Sequence, residues 1–200
     1  MELWTIQHAK TLIPAFVLMV VLAAVLRKLL KNKSETVRMI PIQVVAVLLF
    51  LLEVGKQAVS LSRGYDLYHL PFHFCSLFIF MLPLAAFYRG KHKNTVRGIT
   101  AALSMSVLVL ILIYPCLIYS AWDIENFFTE YMALHTVAFH NLVMLAAVLF
   151  PALEVQTPAK GEGKPVAIFM LCFCAVSAKK AEFNFRSIKS TDYSLCRFIP

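Results

Sequence analysis

Long apolar runs alternate with short charged segments along the whole chain. A helix needs ~20 mostly apolar residues to cross a bilayer, and six runs approach that length. They cover residues 12–30, 39–54, 70–88, 99–119, 131–153 and 166–178, and Lys179 and Lys180 end the last and shortest of them. The pattern predicts an all-α, polytopic membrane helix bundle with about six transmembrane helices. We expect one integral membrane domain over residues 1–200, with an atypical tail at 179–200.

Composition supports a membrane protein and argues against two other classes. The 200 residues are 60% hydrophobic and only 15% charged, too few charges for the surface of an ordinary soluble protein. The net charge of +8 comes from Lys and Arg that cluster between the apolar runs, as in cytoplasmic loops facing anionic lipid. No basic helix with interleaved aromatic residues is present, so the expected partner is the lipid bilayer and not nucleic acid.

The distribution of basic residues predicts how the bundle is oriented. The first and third loops are basic, whereas the fourth has no basic residue and carries Asp123, Glu125 and Glu130. By the positive-inside rule the first and third loops are cytoplasmic, so we expect a multi-pass protein of the cell membrane with its N-terminus outside. Six spans would leave the basic tail outside too, against the same rule. Either the sixth segment does not span, or the tail is atypical.

Polar groups from several helices converge on the outer leaflet in this topology. The third helix begins there with His73 and Cys75, and the second helix ends there with Glu53. The fifth helix carries His135 about one turn from its start and His140 about 13 Å deeper than that start. Ionisable groups within lipid are rare and often mark a function. The candidate catalytic residues are therefore His73, Cys75, His135 and His140.

The segment around His73 is not expected to form a site alone. Pro71 fits the first helical position, which leaves His69 outside the helix. His73 and Cys75 lie about 200° apart around the helix, so neither a zinc site nor a nucleophile–base pair forms within it. A base for a Cys75 nucleophile would have to come from the fifth helix.

A purely structural role is the alternative for each candidate. Buried free cysteines are commonly small packing residues, which would describe Cys75. His140 and Asn141 would then form interhelical hydrogen bonds that hold the bundle together. The chain has no Ser-His-Asp order, HExxH motif, Walker loop or glycine-rich nucleotide fingerprint, and its five cysteines form no disulfide framework. We therefore expect no cofactor and no metal.

Leu70-Pro71-Phe72-His73-Phe74-Cys75 resembles the LPxHxC signature of the YwaF-like family of bacterial integral membrane proteins. The stretch 135–141 is similar to the polar centre of that family's fifth span, and the tail to its Asn/Tyr-containing segment before a last helix. The resemblance implies that a final C-terminal helix is missing after Pro200. It also connects the chain to a distant vertebrate acyltransferase that moves fatty acyl chains between phospholipids with a membrane cysteine and histidine. His73 matches that histidine, and the cysteine corresponds either to Cys75 or to Phe72.

Two hypotheses for the function follow. The first is a lipid-acyl-modifying enzyme with a phospholipid substrate in the outer leaflet, in which the four candidates supply base and nucleophile. The second is a non-catalytic transporter or sensor of a small molecule, in which the same residues line a histidine-rich polar cavity.

Overall fold

A computed structural model describes residues 5–64, 75–115 and 119–155, without the side chain of Ala121. These segments are helical throughout apart from their connections. The helices are α1 (Ile6–Leu30), α2 (Glu35–Arg38), α3 (Ile40–Ser62), a 3₁₀ turn at Cys75–Leu77, α4 (Phe78–Phe87), α5 (Lys93–Ile113), α6 (Ala121–Glu125) and α7 (Tyr131–Ala152). Within these segments, α1, α2 with α3, α5 and α7 are long and apolar enough to cross a membrane, and Cys75–Phe87 is a shorter apolar segment. The predicted all-α membrane bundle is confirmed.

Helix α7 is the centre of the bundle. It packs against α1, α3, α5 and α6, while α4 lies between α3 and α5. Small buried residues of α7, such as Ala133, Ala146 and Ala147, allow the neighbouring helices to approach closely. This central position explains why α7 is apolar on all sides and still contains polar side chains, because those groups face protein and not lipid.

Helix α1 lies at the periphery and presents most of its surface to lipid. Its buried residues are His8, Leu12, Met19 and Ala23, which form one stripe at helical spacing. Thr5 caps the helix by accepting a hydrogen bond from the backbone N–H of His8 at 3.3 Å. Two large side chains on the other faces, Leu18 and Val21, are more than half exposed.

Two helix ends differ from the apolar runs for identifiable reasons. Helix α3 continues to Ser62, well past residue 54, and Lys56 therefore lies inside this helix and not in a loop. Helix α5 ends at Ile113 and not at 119, because Tyr114 precedes Pro115 and is pushed out of the helical conformation (φ −140°, ψ 73°).

An ion-paired cluster joins four segments at the end of the bundle where α5 begins. Arg97 is only 3% exposed, and its Nη1 donates to Glu35 Oε1 at 2.6 Å, while Lys93 reaches the same carboxylate at 2.9 Å. The Arg97 guanidinium also donates to the backbone carbonyls of Ala85 and Val155, each at 3.4 Å. Because these partners satisfy a buried charge, α5 begins at Lys93, six residues before its apolar run.

The sixth predicted span, 166–178, and the tail at 179–200 lie outside the described residues, as does the predicted helix start at Pro71.

Candidate functional site

A buried carboxylate in the C-terminal half of α3 connects this helix to the first turns of α7. Glu53 is 5% exposed. Its Oε1 accepts hydrogen bonds from Lys56 Nζ at 3.2 Å and Gln57 Nε2 at 2.6 Å. Its Oε2 accepts from His135 Nε2 at 3.0 Å. Three donors thus surround one charge inside the bundle, which is the condition under which a buried ion pair is tolerated.

Tyr131 adds a second contact between the same two helices. Its hydroxyl donates to the backbone carbonyl of Leu52 at 3.0 Å. The hydroxyl occupies the space that a Cβ atom at position 55 would need, so any other residue there would have to displace the Tyr131 side chain. The missing side chain at Gly55 therefore allows α7 to pack closely against α3, and the glycine is not there to make the helix flexible.

We expect Gly55→Ala to destabilise the protein by about 1–3 kcal/mol, although replacing a helical glycine by alanine normally stabilises. The added methyl group would displace the Tyr131 hydroxyl and break its hydrogen bond to Leu52. Thermal unfolding of the purified protein in detergent measures the effect. In a Tyr131→Phe background the same substitution should be much less harmful, and a higher unfolding temperature for Gly55→Ala alone would contradict this account.

His140 is the second histidine of α7, and one of its ring nitrogens is unpaired. Its Nδ1 lies 2.7 Å from the Thr136 carbonyl oxygen, within the same helix. A carbonyl oxygen can only accept, so the proton lies on Nδ1 and Nε2 carries a lone pair. Nε2 is buried and has no hydrogen-bond partner among the described residues. His140 is thus arranged as a neutral ring with an available basic nitrogen.

Asn141, the next residue, has the same kind of unsatisfied atom. Its Nδ2 donates to the Val137 carbonyl at 2.8 Å, whereas its buried Oδ1 lacks a partner in the described part of the chain. An unpaired buried acceptor lowers the free energy of unfolding by about 1–3 kcal/mol, so His140 and Asn141 both destabilise the fold. Such groups are candidates for ligand contact.

Tyr119 contacts His140 from the loop after α5. The two ring centroids are 6.0 Å apart with the planes at 80°, an edge-to-face arrangement. Tyr119 is 1% exposed, and its hydroxyl donates to Met144 Sδ at 3.9 Å. Burial and, to a lesser degree, the nearby Cys75 side chain raise the pKa of the Tyr119 phenol, so it remains a neutral hydroxyl. Tyr119 therefore has His140 and Cys75 as neighbours.

His8 on α1 fixes the backbone of Tyr119. Its Nε2 donates to the Tyr119 carbonyl at 3.0 Å, and its Nδ1 accepts from the Thr5 hydroxyl at 2.6 Å. Neither His8 nor Tyr119 is among the four residues that the sequence predicts as catalytic candidates. A signal was available for His8, because it lies on the buried stripe of α1 three residues after a helix-capping threonine.

Two apolar cavities lie beside Asn141. The larger, about 630 Å³, lies between α1 and α3 over the surface of α7. The smaller, about 330 Å³, lies between α1, α6 and α7, with Tyr119 in its wall. Three residues line both cavities, which therefore adjoin: Ala15, Phe127 and Asn141. Volumes in this range are typical of ligand sites.

The structure places three of the four sequence-predicted residues. His135 pairs with Glu53 on α3, and His140 lies beside Tyr119, so the two histidines face different neighbours. Cys75 opens the 3₁₀ turn before α4 and packs partly against the core. His73 lies outside the described residues. In those residues, no three His, Cys, Asp or Glu side chains are grouped so that they could hold a metal ion.

These features define a polytopic helical membrane protein with buried polar groups and apolar cavities near one face. The chain belongs to the TMEM164 family, whose family model matches residues 3–189. The expected membership of an integral membrane protein family is thereby confirmed. Comparisons with curated proteins and with solved structures gave no match.

Proposed function

We propose that this protein is a lipid-acyl-modifying enzyme that transfers an acyl chain between phospholipids in the outer half of the bilayer. The observation that carries the proposal is His140, a neutral ring whose buried Nε2 has no partner among the described residues and whose neighbour Tyr119 also lies near Cys75. Covalent acyl transfer requires a base that reaches the thiol, so the proposal needs His140 Nε2, which makes no hydrogen bond to the described Cys75 side chain here, to approach it when lipid is bound. The resemblance of the His73–Cys75 segment to the YwaF-like signature, and through it to a phospholipid acyltransferase, points the same way.

The proposed reaction has two halves, and in each half His140 accepts one proton and then gives it up. In the first, His140 Nε2 takes the proton of the Cys75 thiol, and the thiolate attacks the ester carbonyl carbon of a phospholipid. The ester C–O bond breaks, a thioester forms on Cys75, and the departing lysophospholipid oxygen takes the proton from His140. In the second, His140 accepts the proton of an acceptor lysophospholipid's hydroxyl as its oxygen attacks the thioester carbonyl carbon. The new ester C–O bond forms, the thioester C–S bond breaks, and His140 returns the proton to the Cys75 sulfur.

Two further histidines have proposed roles. His135 acts through Glu53, which holds α7 at a fixed rotation and so directs His140 toward Tyr119. His73 stays a predicted catalytic residue, because it matches the histidine of the acyltransferase in the resemblance.

The chemistry of the cavities favours a lipid over a small polar solute. Among the described residues, no histidine lines either the 630 Å³ or the 330 Å³ cavity. A polar solute would need a polar path, whereas most of the described lining of the larger cavity is apolar. The Lys/Arg asymmetry of the loops supports a cell-membrane location with the N-terminus outside, which would place the site in the outer half.

The test is a transfer assay with the full chain in vesicles that contain phospholipid with a radiolabelled acyl chain and unlabelled lysophospholipid. We expect label on the protein that neutral hydroxylamine releases, as it does a thioester, together with labelled product lipid. Cys75→Ser should abolish both, and the matched variant Cys172→Ser should retain both. Transfer that continues in Cys75→Ser, or no transfer by the unsubstituted protein, would overturn the proposal.

A further inference from the structure

A third, much smaller cavity lies where α1 and α7 end, and we call it the basic cavity. Three cationic side chains and one carboxylate line it: Arg27, Lys31, Arg38 and Glu154. Glu154 pairs with Arg27 at 3.0 Å, whereas Lys31 and Arg38 have no carboxylate partner among the described residues. The described lining thus carries a net charge of +2, which favours an anionic occupant.

Arg38 is held in place and still has an unused N–H donor. Its Nη1 donates to the carbonyl oxygen of Leu153, just after α7, at 3.1 Å. Its Nε is buried and has no hydrogen-bond partner in the described part of the chain. The carboxylate nearest to it in sequence, Glu35, is already shared by Lys93 and Arg97. Because a guanidinium binds phosphate oxygens through its N–H donors, Arg38 is suited to hold a phosphate group.

The volume of the basic cavity sets how much of a ligand enters. It is about 10 Å³, room for one water-sized group such as a single phosphate oxygen. The rest of the ligand must lie outside, at the ends of the helices, where basic residues meet lipid headgroups. Val25 and Leu29, just before α1 ends at Leu30, are 47% and 66% exposed and offer acyl chains an apolar surface. These features together favour a lipid as the carrier of the phosphate.

We propose that the basic cavity binds the phosphate monoester of an anionic phospholipid headgroup. A phosphate monoester carries about −1.5 to −2 charges at pH 7, which balances the +2 of the lining, whereas a phosphodiester carries a single charge. One phosphate oxygen enters the cavity and accepts from Arg38, and Lys31 pairs with a second oxygen. The bound lipid links α1 to the ends of α2 and α7 and stabilises that end of the bundle.

This site is independent of the proposed acyl transfer. It lies at the end of α7 opposite to His135, and none of the four candidate catalytic residues lines it. Loss of one activity therefore does not imply loss of the other.

The first experiment measures which ligand binds. Native mass spectrometry of the full chain in detergent counts bound lipid as phosphatidic acid, a phosphate monoester, or phosphatidylserine, a phosphodiester, is added. We expect one phosphatidic acid per chain, bound about tenfold more tightly than phosphatidylserine. Equal affinity for the two lipids would overturn the inference. Glycerol 3-phosphate, a soluble phosphate monoester, tests the source of the phosphate, and an affinity equal to that of phosphatidic acid would overturn the assignment to a lipid.

The second experiment repeats the titration with variants. Lys31→Gln should lower the affinity for phosphatidic acid about tenfold, and it should leave the fold intact because Lys31 is exposed. Arg38→Gln should lower it at least as much, while the glutamine amide can still donate to the Leu153 carbonyl.

The matched control is Lys28→Gln, which removes the same charge one turn away on α1 from a residue that does not line the basic cavity. It should leave the affinity within about twofold of the unsubstituted protein. Equal losses for Lys28→Gln and Lys31→Gln would overturn the inference, because they would mean that the basic loop attracts anionic lipid without a defined site.

Discussion

Lys56→Met is expected to lower the free energy of unfolding by about 3 kcal/mol, because it removes the only lysine or arginine paired with Glu53 in the described segments. The side chains of the two residues are 12% and 7% exposed, so water cannot replace the lost ammonium group. Methionine keeps the length and apolar stem of lysine, which limits the change to the charge. Thermal or denaturant unfolding of the full chain in detergent, followed by circular dichroism, measures the loss.

Two variants check that buried charge is the cause. Arg63→Met breaks the Arg63–Glu130 pair, whose side chains are 59% and 38% exposed, and should change stability by about 1 kcal/mol or less. The double variant Glu53→Gln/Lys56→Met leaves no unpaired charge and should recover most of the loss. Equal losses for Lys56→Met and Arg63→Met, or no recovery in the double variant, would contradict the interpretation.

The apolar runs predicted the class of fold because hydropathy reports directly on what a membrane requires. They predicted helix ends less well, since ends depend on specific side chains. Lys56 and Gln57 donate hydrogen bonds to Glu53 within α3, so this helix can continue past its apolar run. The pairing of Arg97 with Glu35 accounts for the early start of α5 at Lys93. These helix ends depend on which side chains pair with each other, and an average of hydrophobicity along the chain does not record such pairs.

The site was harder to predict because hydropathy does not reveal which helices are neighbours or how each is rotated. The sequence indicated that polar groups would gather near the outer face, but not that His135 pairs with Glu53. It also did not reveal that His8 holds the backbone of Tyr119. Both contacts join residues more than 80 positions apart, at 82 and 111 respectively, and depend on the packing of α1, α3 and α7.

The rotation of α7 connects the structural cluster with the proposed chemistry. His135 and His140 are five residues apart, which corresponds to about 140° around a helix. When His135 faces Glu53 on α3, His140 must face away from it, toward Tyr119. The Glu53–His135 contact therefore fixes the direction in which His140 Nε2 points. A buried ion pair can add little net stability, but this one holds α7 at one rotation.

His140→Leu is expected to lower the rate of acyl transfer by about 10²–10⁴-fold, the usual range for loss of a general base. Leucine fits an apolar environment and removes the unpaired Nε2 together with the bond to the Thr136 carbonyl, so the fold should be retained. The vesicle assay with radiolabelled phospholipid gives the rate, and circular dichroism checks the fold.

The control for His140→Leu is Ser104→Ala on α5, which also removes a buried polar group bonded only to a carbonyl of its own helix. It should leave the rate within a fewfold of the unsubstituted protein. Because a base acts on the thiol, His140→Leu should also slow alkylation of Cys75 by iodoacetamide, whereas Ser104→Ala should not. A folded His140→Leu protein with normal transfer and normal Cys75 alkylation would mean that His140 has only the structural role of bonding within α7.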